Sequence, residues 1–325
     1  MLVTFACALP ADAHADWERY RDRFVLPEGR VQDTGNGNIT HSEGQSYGML
    51  LAVHHGDRPT FERLWNWTRT HLRTRNDRLF AWKWTPAAGV ADANNATDAE
   101  LVLSWALLKA AERWSVEEWR REALGIGEDM LTTLYRKPSA LAYLLPGAHG
   151  FEHPDGDVLN PSYWVFPAFA ALHAATGRPE WQALYDSSIR LLDSTSFGRW
   201  NLPPDWLKLS ARPTPAPGFA PRFGYDAIRV PLYLMWAGEE ARLTPFKRYW
   251  ASVAGRPIWP AWIDLQSNHM ATTHAAPGMR AVARTALAYP NVSDLRLPEL
   301  DDTQDYYSAS LLMLTRMMIE ERKIP

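Results

Sequence analysis

Apolar residues in this chain recur mostly at i, i+3 and i+4, the spacing that gathers them on one face of an α-helix. The pattern predicts helices over residues 47–55, 58–72, 98–114, 116–136, 162–176, 180–194, 225–237, 245–254, 278–288 and 306–320. Alternating runs of the kind that make half-buried strands are scarce. Loops rich in Gly, Pro, Asn and Asp separate the helices, notably at 33–38, 153–161 and 203–222. Many helices without a strongly charged face suggest repeated antiparallel helix pairs. No sequence repeat of fixed period supports an open solenoid. A closed ring of helix hairpins buries two layers without exposed ends, so the reading is all-α and a single domain, residues 16–325.

The first fifteen residues break the pattern. Residues 2–9 form a short apolar run, and Ala13-His14-Ala15 follows the small-x-small form of a signal-peptidase site. The expectation is a signal peptide over 1–15, cleaved after Ala15, although its usual basic start is missing. Cleavage would remove Cys7, the only cysteine. No other run approaches the ~18 apolar residues of a membrane span. The expected destination is therefore periplasmic or secreted, and the chain is not an integral membrane protein.

Composition narrows the chemistry. Of 325 residues, 46% are hydrophobic and 22% charged, ordinary globular usage. The net charge of −3 is spread along the chain with no Lys/Arg block, which argues against a nucleic-acid partner. Aromatic residues are abundant: 16 Trp, 12 Tyr and 11 Phe. Trp needs a partner for its N–H when buried, so this many suggests surfaces that stack on flat ligands, such as the faces of pyranose rings. For any single Trp, packing between helices is the plainer alternative.

Two helix starts carry acids. Ser42-Glu43-Gly44-Gln45 and Thr97-Asp98-Ala99-Glu100 both fit the capping box, each followed by an apolar run. Glu43 and Asp98 then sit at helix mouths, where side chains can face a cleft. An acid there also simply complements the helix dipole. Gly44-Gln45-Ser46-Tyr47-Gly48 matches the G-x-S-x-G elbow of serine hydrolases, with Ser46 as nucleophile. That motif needs a strand before it, and residues 35–40 read as a polar loop. Gly35-Asn36-Gly37-Asn38 lacks the context of a phosphate loop. His149 and His153 are four apart, but Gly150 and Pro154 oppose the helix that would align them. His269 and His274 are five apart, off a shared helix face. Neither a metal nor a cofactor is expected.

Three segments together resemble glycoside hydrolase family 8. They are the run from Ser42-Glu43-Gly44-Gln45 to Met49, the run from Ala96-Thr97-Asp98 to Trp114, and Phe223-Gly224-Tyr225-Asp226-Ala227-Ile228-Arg229-Val230-Pro231. Tyr306-Tyr307-Ser308-Ala309-Ser310-Leu311 is also similar. The order is the family's and the matches span nearly the whole mature chain. One departure is Glu100, where the family signature usually has Asp; its capping-box position offers a structural role instead.

The resemblance implies an (α/α)6 barrel of six inner and six outer helices that hydrolyses a β-1,4-glucan, or in some members xylan or chitosan. It implies Glu43 as general acid, Asp226 as general base and Asp98 as the acid that binds the sugar at the cleavage point. Tyr225 and Arg229 would flank the base, although Arg229 could also be a surface ion-pair partner. Trp82, Trp84, Tyr163 and Trp164 are candidates to stack on sugar, and Tyr307 to reach the site, with core packing the alternative for the first four. Tyr306 is as readily core. Glu43 would need its pKa raised against the helix dipole, by burial or by the like charge of Asp98. Inversion asks for carboxyls roughly 6.5–9.5 Å apart. The compact single-domain form resembles members that act beside bacterial cellulose synthesis, which makes the synthase machinery a further expected partner by analogy. A glucan-binding protein without catalysis is the non-enzymatic alternative; the retained acids argue against it.

Overall fold

The computed structural model describes residues 11–292 and 295–322. The apolar run at 2–9 lies outside the described residues. All ten expected helices are present, with α1 (Ala11–Phe24) before them. They are α2 (Ser42–His54), α3 (Arg58–His71), α4 (Thr97–Trp114), α5 (Glu117–Thr133), α6 (Phe166–Thr176), α7 (Pro179–Ser194), α8 (Arg229–Ala237), α9 (Thr244–Val253), α10 (Pro277–Ala288) and α11 (Tyr306–Arg322).

Burial sorts them into two layers. Helices α2, α4, α8 and α11 are buried nearly all round, and α6 on much of its surface. They pack in the order α2, α4, α6, α8, α11 and back to α2, while α10 wedges against α8 and α11. Outside this ring, α3 covers α2, α5 covers α4, α7 covers α6, α9 covers α10, and α1 lies on α11 and α2. Each outer helix is amphipathic: α3 buries Phe61, Leu64, Trp65 and Trp67 and exposes Glu62-side polar residues such as Arg63, Asn66 and Arg69. The architecture is the (α/α)6 barrel. Among the described residues its six inner helices are flanked by five outer ones, of which α3, α5, α7 and α9 connect successive inner helices. The stretch from 289 to 305, between α10 and α11, carries no helix among the residues described.

The inner helices run parallel. The start of α10 touches the start of α11, where the Gly278 N–H donates to Ser308 Oγ at 3.0 Å. A Cβ on Gly278 would lie 2.0 Å from the Ser308 carbonyl oxygen, so only glycine permits this crossing. Gly278→Ala should therefore cost about 1–3 kcal/mol by overpacking, seen as a lower urea midpoint. At the other end the helix C-termini are sealed together. His54 Nε2 meets Glu320 at 2.6 Å, Trp236 Nε1 donates to Glu321 at 3.0 Å, and Lys109 pairs with Glu321 at 2.8 Å.

The strands are short, two to four residues each, and lie in loops. At the rim above α2 and α4, β1 (Thr40–His41), β2 (Lys83–Thr85) and β3 (Gly89–Asp92) form one antiparallel sheet. Next come β4 (Tyr135–Arg136) paired with β5 (Tyr143–Leu144). A second three-stranded sheet joins β6 (Asp157–Leu159), β7 (Leu207–Leu209) and β8 (Thr214–Pro215), and β9 (Arg222–Phe223) pairs with β10 (Ile263–Asp264).

Both capping boxes are replaced by other bonds. The cap of α2 is His41, whose Nδ1 accepts from the Gly44 N–H at 3.0 Å, while Ser42 Oγ has no partner. Gln45 turns inward instead. Its carbonyl oxygen accepts from Val31 N at 2.6 Å and its amide donates to Thr68 Oγ1 at 2.8 Å, tying α2 to α3. At α4, Thr97 Oγ1 donates to the Leu145 carbonyl at 2.5 Å, and Glu100 accepts from Phe80 N at 2.7 Å. Glu100 is thus a buried anchor for the segment before β2, not a capping partner. Its other oxygen is unpartnered, and burial pushes its carboxyl well above the usual range. A raised folded-state pKa means stability is greatest below the unfolded value of about 4.3 and falls as pH rises through the folded one. Glu100→Gln should flatten that fall, which denaturation midpoints measured from pH 5 to 9 would show.

Candidate active site

Because the inner helices are parallel, their N-termini meet at one mouth, where the partial positive charge of each end favours acids. Glu43 sits in the first turn of α2 and Asp98 in the first turn of α4. Asp226 lies in the turn just before α8, and Arg229 opens that helix. Arg229 is 2% exposed, which corrects the surface-pair alternative. Its guanidinium gathers all three acids. One terminal nitrogen bonds Glu43 closely and Asp98 at 2.9 Å; the other bonds Asp226 at 2.9 Å and Ser162 Oγ at 2.8 Å. Tyr47, one turn into α2, is 3.1 Å from the same cation.

Three acids around one cation cannot all ionise cheaply. Burial raises Asp98 to about 7; Arg229 opposes the rise and Glu43 adds to it. Desolvation raises Asp226 to about 6, again opposed by Arg229 and reinforced by Asp205 and Glu43. Near neutrality the cluster as a whole therefore holds protons that can be moved, and they belong to the coupled set and not to one residue. Glu43 and Asp226 are bonded to different nitrogens of one guanidinium.

The aromatic candidates divide. Tyr163 lies beside the Arg229 guanidinium, 5.8 Å from ring centroid to Cζ. Tyr225 is 39% exposed beside the base. Tyr307 reaches in from α11, and its hydroxyl donates to the Tyr225 carbonyl. Trp82 is half-buried and its carbonyl accepts from Ser42 N at 3.0 Å, which places it at the mouth of α2. Trp84 packs edge-on against Trp67 and under Arg30. Trp164 is placed in the core, 5% exposed, and so fits the packing alternative. Tyr306 is fully buried, and a Cβ on Gly44 would lie 3.2 Å from its hydroxyl.

Three parts of the site went unread in the sequence. Asp205 and Trp206 come from the loop after α7; Asp205 binds the turn that carries Asp226, and Trp206 adjoins the Asp226 carboxylate. Trp206 is also stacked between Phe151 and Phe219, with centroids at 5.7 and 4.5 Å. Ser162 adjoined a quoted candidate but was not singled out. A Pro-Pro-Asp-Trp run within a long loop was the available signal for the first two.

The serine-elbow reading loses its geometry. Residues 34–38 form a turn, as the polar-loop reading expects, and the strand that follows, β1, has only two residues. Ser46 lies inside the helix, fully buried, and its hydroxyl donates to the Glu43 carbonyl at 2.7 Å.

A helical barrel that brings acids to both ends of a shared cation, within an aromatic mouth, is the scaffold of a carbohydrate-cleaving acid–base hydrolase. Comparison of the sequence makes the class specific: residues 1–321 match glycosyl hydrolases family 8, and the chain belongs to that family. It is 39% identical to a probable endoglucanase of Novacetimonas hansenii, across 98% of this chain and 94% of that protein. An endoglucanase of Cellulomonas uda is also 39% identical, across 89% and 82%. Among solved structures, the endo-beta-1,4-glucanase CMCax from Acetobacter xylinum superposes with a TM-score of 0.91 at 39% identity, across 97% of this chain and all of that one.

Proposed function

We propose that this protein is an endo-β-1,4-glucanase that hydrolyses cellulose-type glucan with inversion, Glu43 acting as general acid and Asp226 as general base. The observation that carries the assignment is the Arg229 hub, which bonds Glu43 through one terminal nitrogen and Asp226 through the other. Glu43 delivers a proton to the leaving oxygen. Asp226, a third exposed at the mouth, takes one from the attacking water. Asp98, buried against the same cation, is placed to bind hydroxyls of the sugar being cleaved. Tyr163, Tyr225 and Tyr307 shape the surrounding surface, and Trp82 is placed to stack on the chain at the rim. The relatives' names support the glucan substrate, and the Novacetimonas and Acetobacter relatives support a role beside cellulose synthesis.

The test is reducing-end release from carboxymethyl cellulose, with xylan and chitosan in parallel, and NMR of the anomer first formed. Activity on the glucan with α-product supports the reading; activity only on xylan or chitosan overturns the substrate, and β-product overturns the mechanism. The base must be ionised, so kcat/KM should fall on acidification with a limb near pH 6, where the acid cluster that includes Asp226 takes up a proton.

Export is part of the proposal. Ala15 is exposed while Trp17 and Tyr20 are buried, so a cut after Ala15 leaves the packed part of α1 intact. N-terminal sequencing of protein recovered outside the cytoplasm should begin at Asp16; retention of the first fifteen residues would refute it.

A further inference from the structure

The geometry points to Asp205 as the positioning residue of the base, the side chain that holds the Asp226 turn in place and sets its electrostatic surroundings. This rests on the assignment of Asp226 as base made above.

Asp205 is 3% exposed and lies in the connection between α7 and β7. One carboxylate oxygen accepts three backbone N–H groups of the turn: Gly224 at 2.9 Å, Asp226 at 3.2 Å and Ala227 at 2.9 Å. The other accepts from Arg222 Nε at 3.0 Å. The Asp205 N–H in turn donates to the Arg222 carbonyl at 2.7 Å, so the two segments clamp each other. Those N–H groups precede α8 and have no place in its ladder; a charged acceptor satisfies them together. Gly224 makes room for the clamp, since a Cβ there would lie 3.0 Å from the Asp205 carboxylate and 3.1 Å from Trp262 Cβ. The next residue, Trp206, adjoins the Asp226 carboxylate.

The charge of Asp205 also acts on Asp226. The base is faced by Arg229 from α8, Glu43 from α2, Asp98 from α4, Tyr163 from before α6 and Tyr307 from α11. Of these Arg229 is the cation, a second one, Arg222, lies against Asp205 at 3.0 Å, and Asp205 is the largest of the like charges that push the Asp226 proton affinity up.

The test uses the full chain with Asp205→Ala and Asp205→Asn. Asp205→Ala removes every acceptor and should lower kcat by about 100-fold through misplacement of the base, with KM little changed. Asp205→Asn keeps an acceptor oxygen but not the charge. Its loss of kcat should be smaller, and the acidic limb of kcat/KM should move to lower pH, a change that a purely structural role would not produce. A wild-type kcat in Asp205→Ala, or an unmoved limb in Asp205→Asn, overturns the inference; if Asp205→Ala does not fold, the limb alone decides. Titration of the Asp226 carboxyl by carbon-13 NMR reads the same shift without turnover. An enzyme inert on glucan, or a fully active Asp226→Asn, would instead overturn the base assignment.

Discussion

Asp226→Asn and Glu43→Gln should each lower kcat on carboxymethyl cellulose by about 10²–10⁴-fold, the contribution typical of a positioned acid or base, while cello-oligosaccharides should still bind. Both exchanges keep size and hydrogen-bonding shape and remove only the capacity to exchange a proton. Calorimetric binding of cellopentaose, measured beside reducing-end release, separates lost chemistry from lost affinity. If either variant keeps wild-type turnover, that residue is not the acid or base, and Asp98, buried on the same cation, becomes the candidate to examine.

Arg229→Met should be the most damaging single change to stability. The guanidinium is buried and compensates three carboxyls at once. Removing one member of a buried ion-pair set leaves uncompensated charge at a cost of about 3–5 kcal/mol. The cost depends on pH, and its sign follows from the raised acids. Asp98 and Asp226 already hold protons more tightly than in the unfolded chain, to about 7 and about 6. Without the cation they hold them more tightly still. Below those values the folded state takes up protons that the unfolded chain does not, so the variant should regain stability as pH falls from 8 to 5. Chemical denaturation at both ends of that interval measures it. A loss of the same size at pH 5 and pH 8 would show that the lost packing of Arg229, and not its charge, dominates.

The helices were legible because burial of one face imposes its period on the sequence. α2 began five residues before its apolar pattern did, since Ser42, Gln45 and Ser46 are buried polar groups satisfied by, or packed within, the tertiary structure. α8 began four residues late, because residues 225–228 form the turn held by Asp205 and not a helical turn. Both capping boxes failed for a common reason: their Gln and Glu found tertiary partners, Val31 and Thr68 for one and Phe80 for the other. Glu43, Asp98, Asp226 and Arg229 could be named through the family resemblance, and the fold brings them together. Asp205 and Trp206 could not, because their importance comes from bonds to a turn some twenty residues away. Spacing along the chain carries no trace of that pairing.

The order in which the ring can be completed follows from who closes it. α2, which bears Glu43, meets α11 through the last residues of the chain, and Tyr20 on α1 shares a hydrogen bond with Ser310 on α11 at 2.9 Å. Contacts this far apart in sequence are slow to form, because the intervening chain must first be ordered or closed into a loop. α11 is therefore the late partner that completes the ring beside Glu43. Completing the ring and completing the mouth should then be one event, the docking of α11.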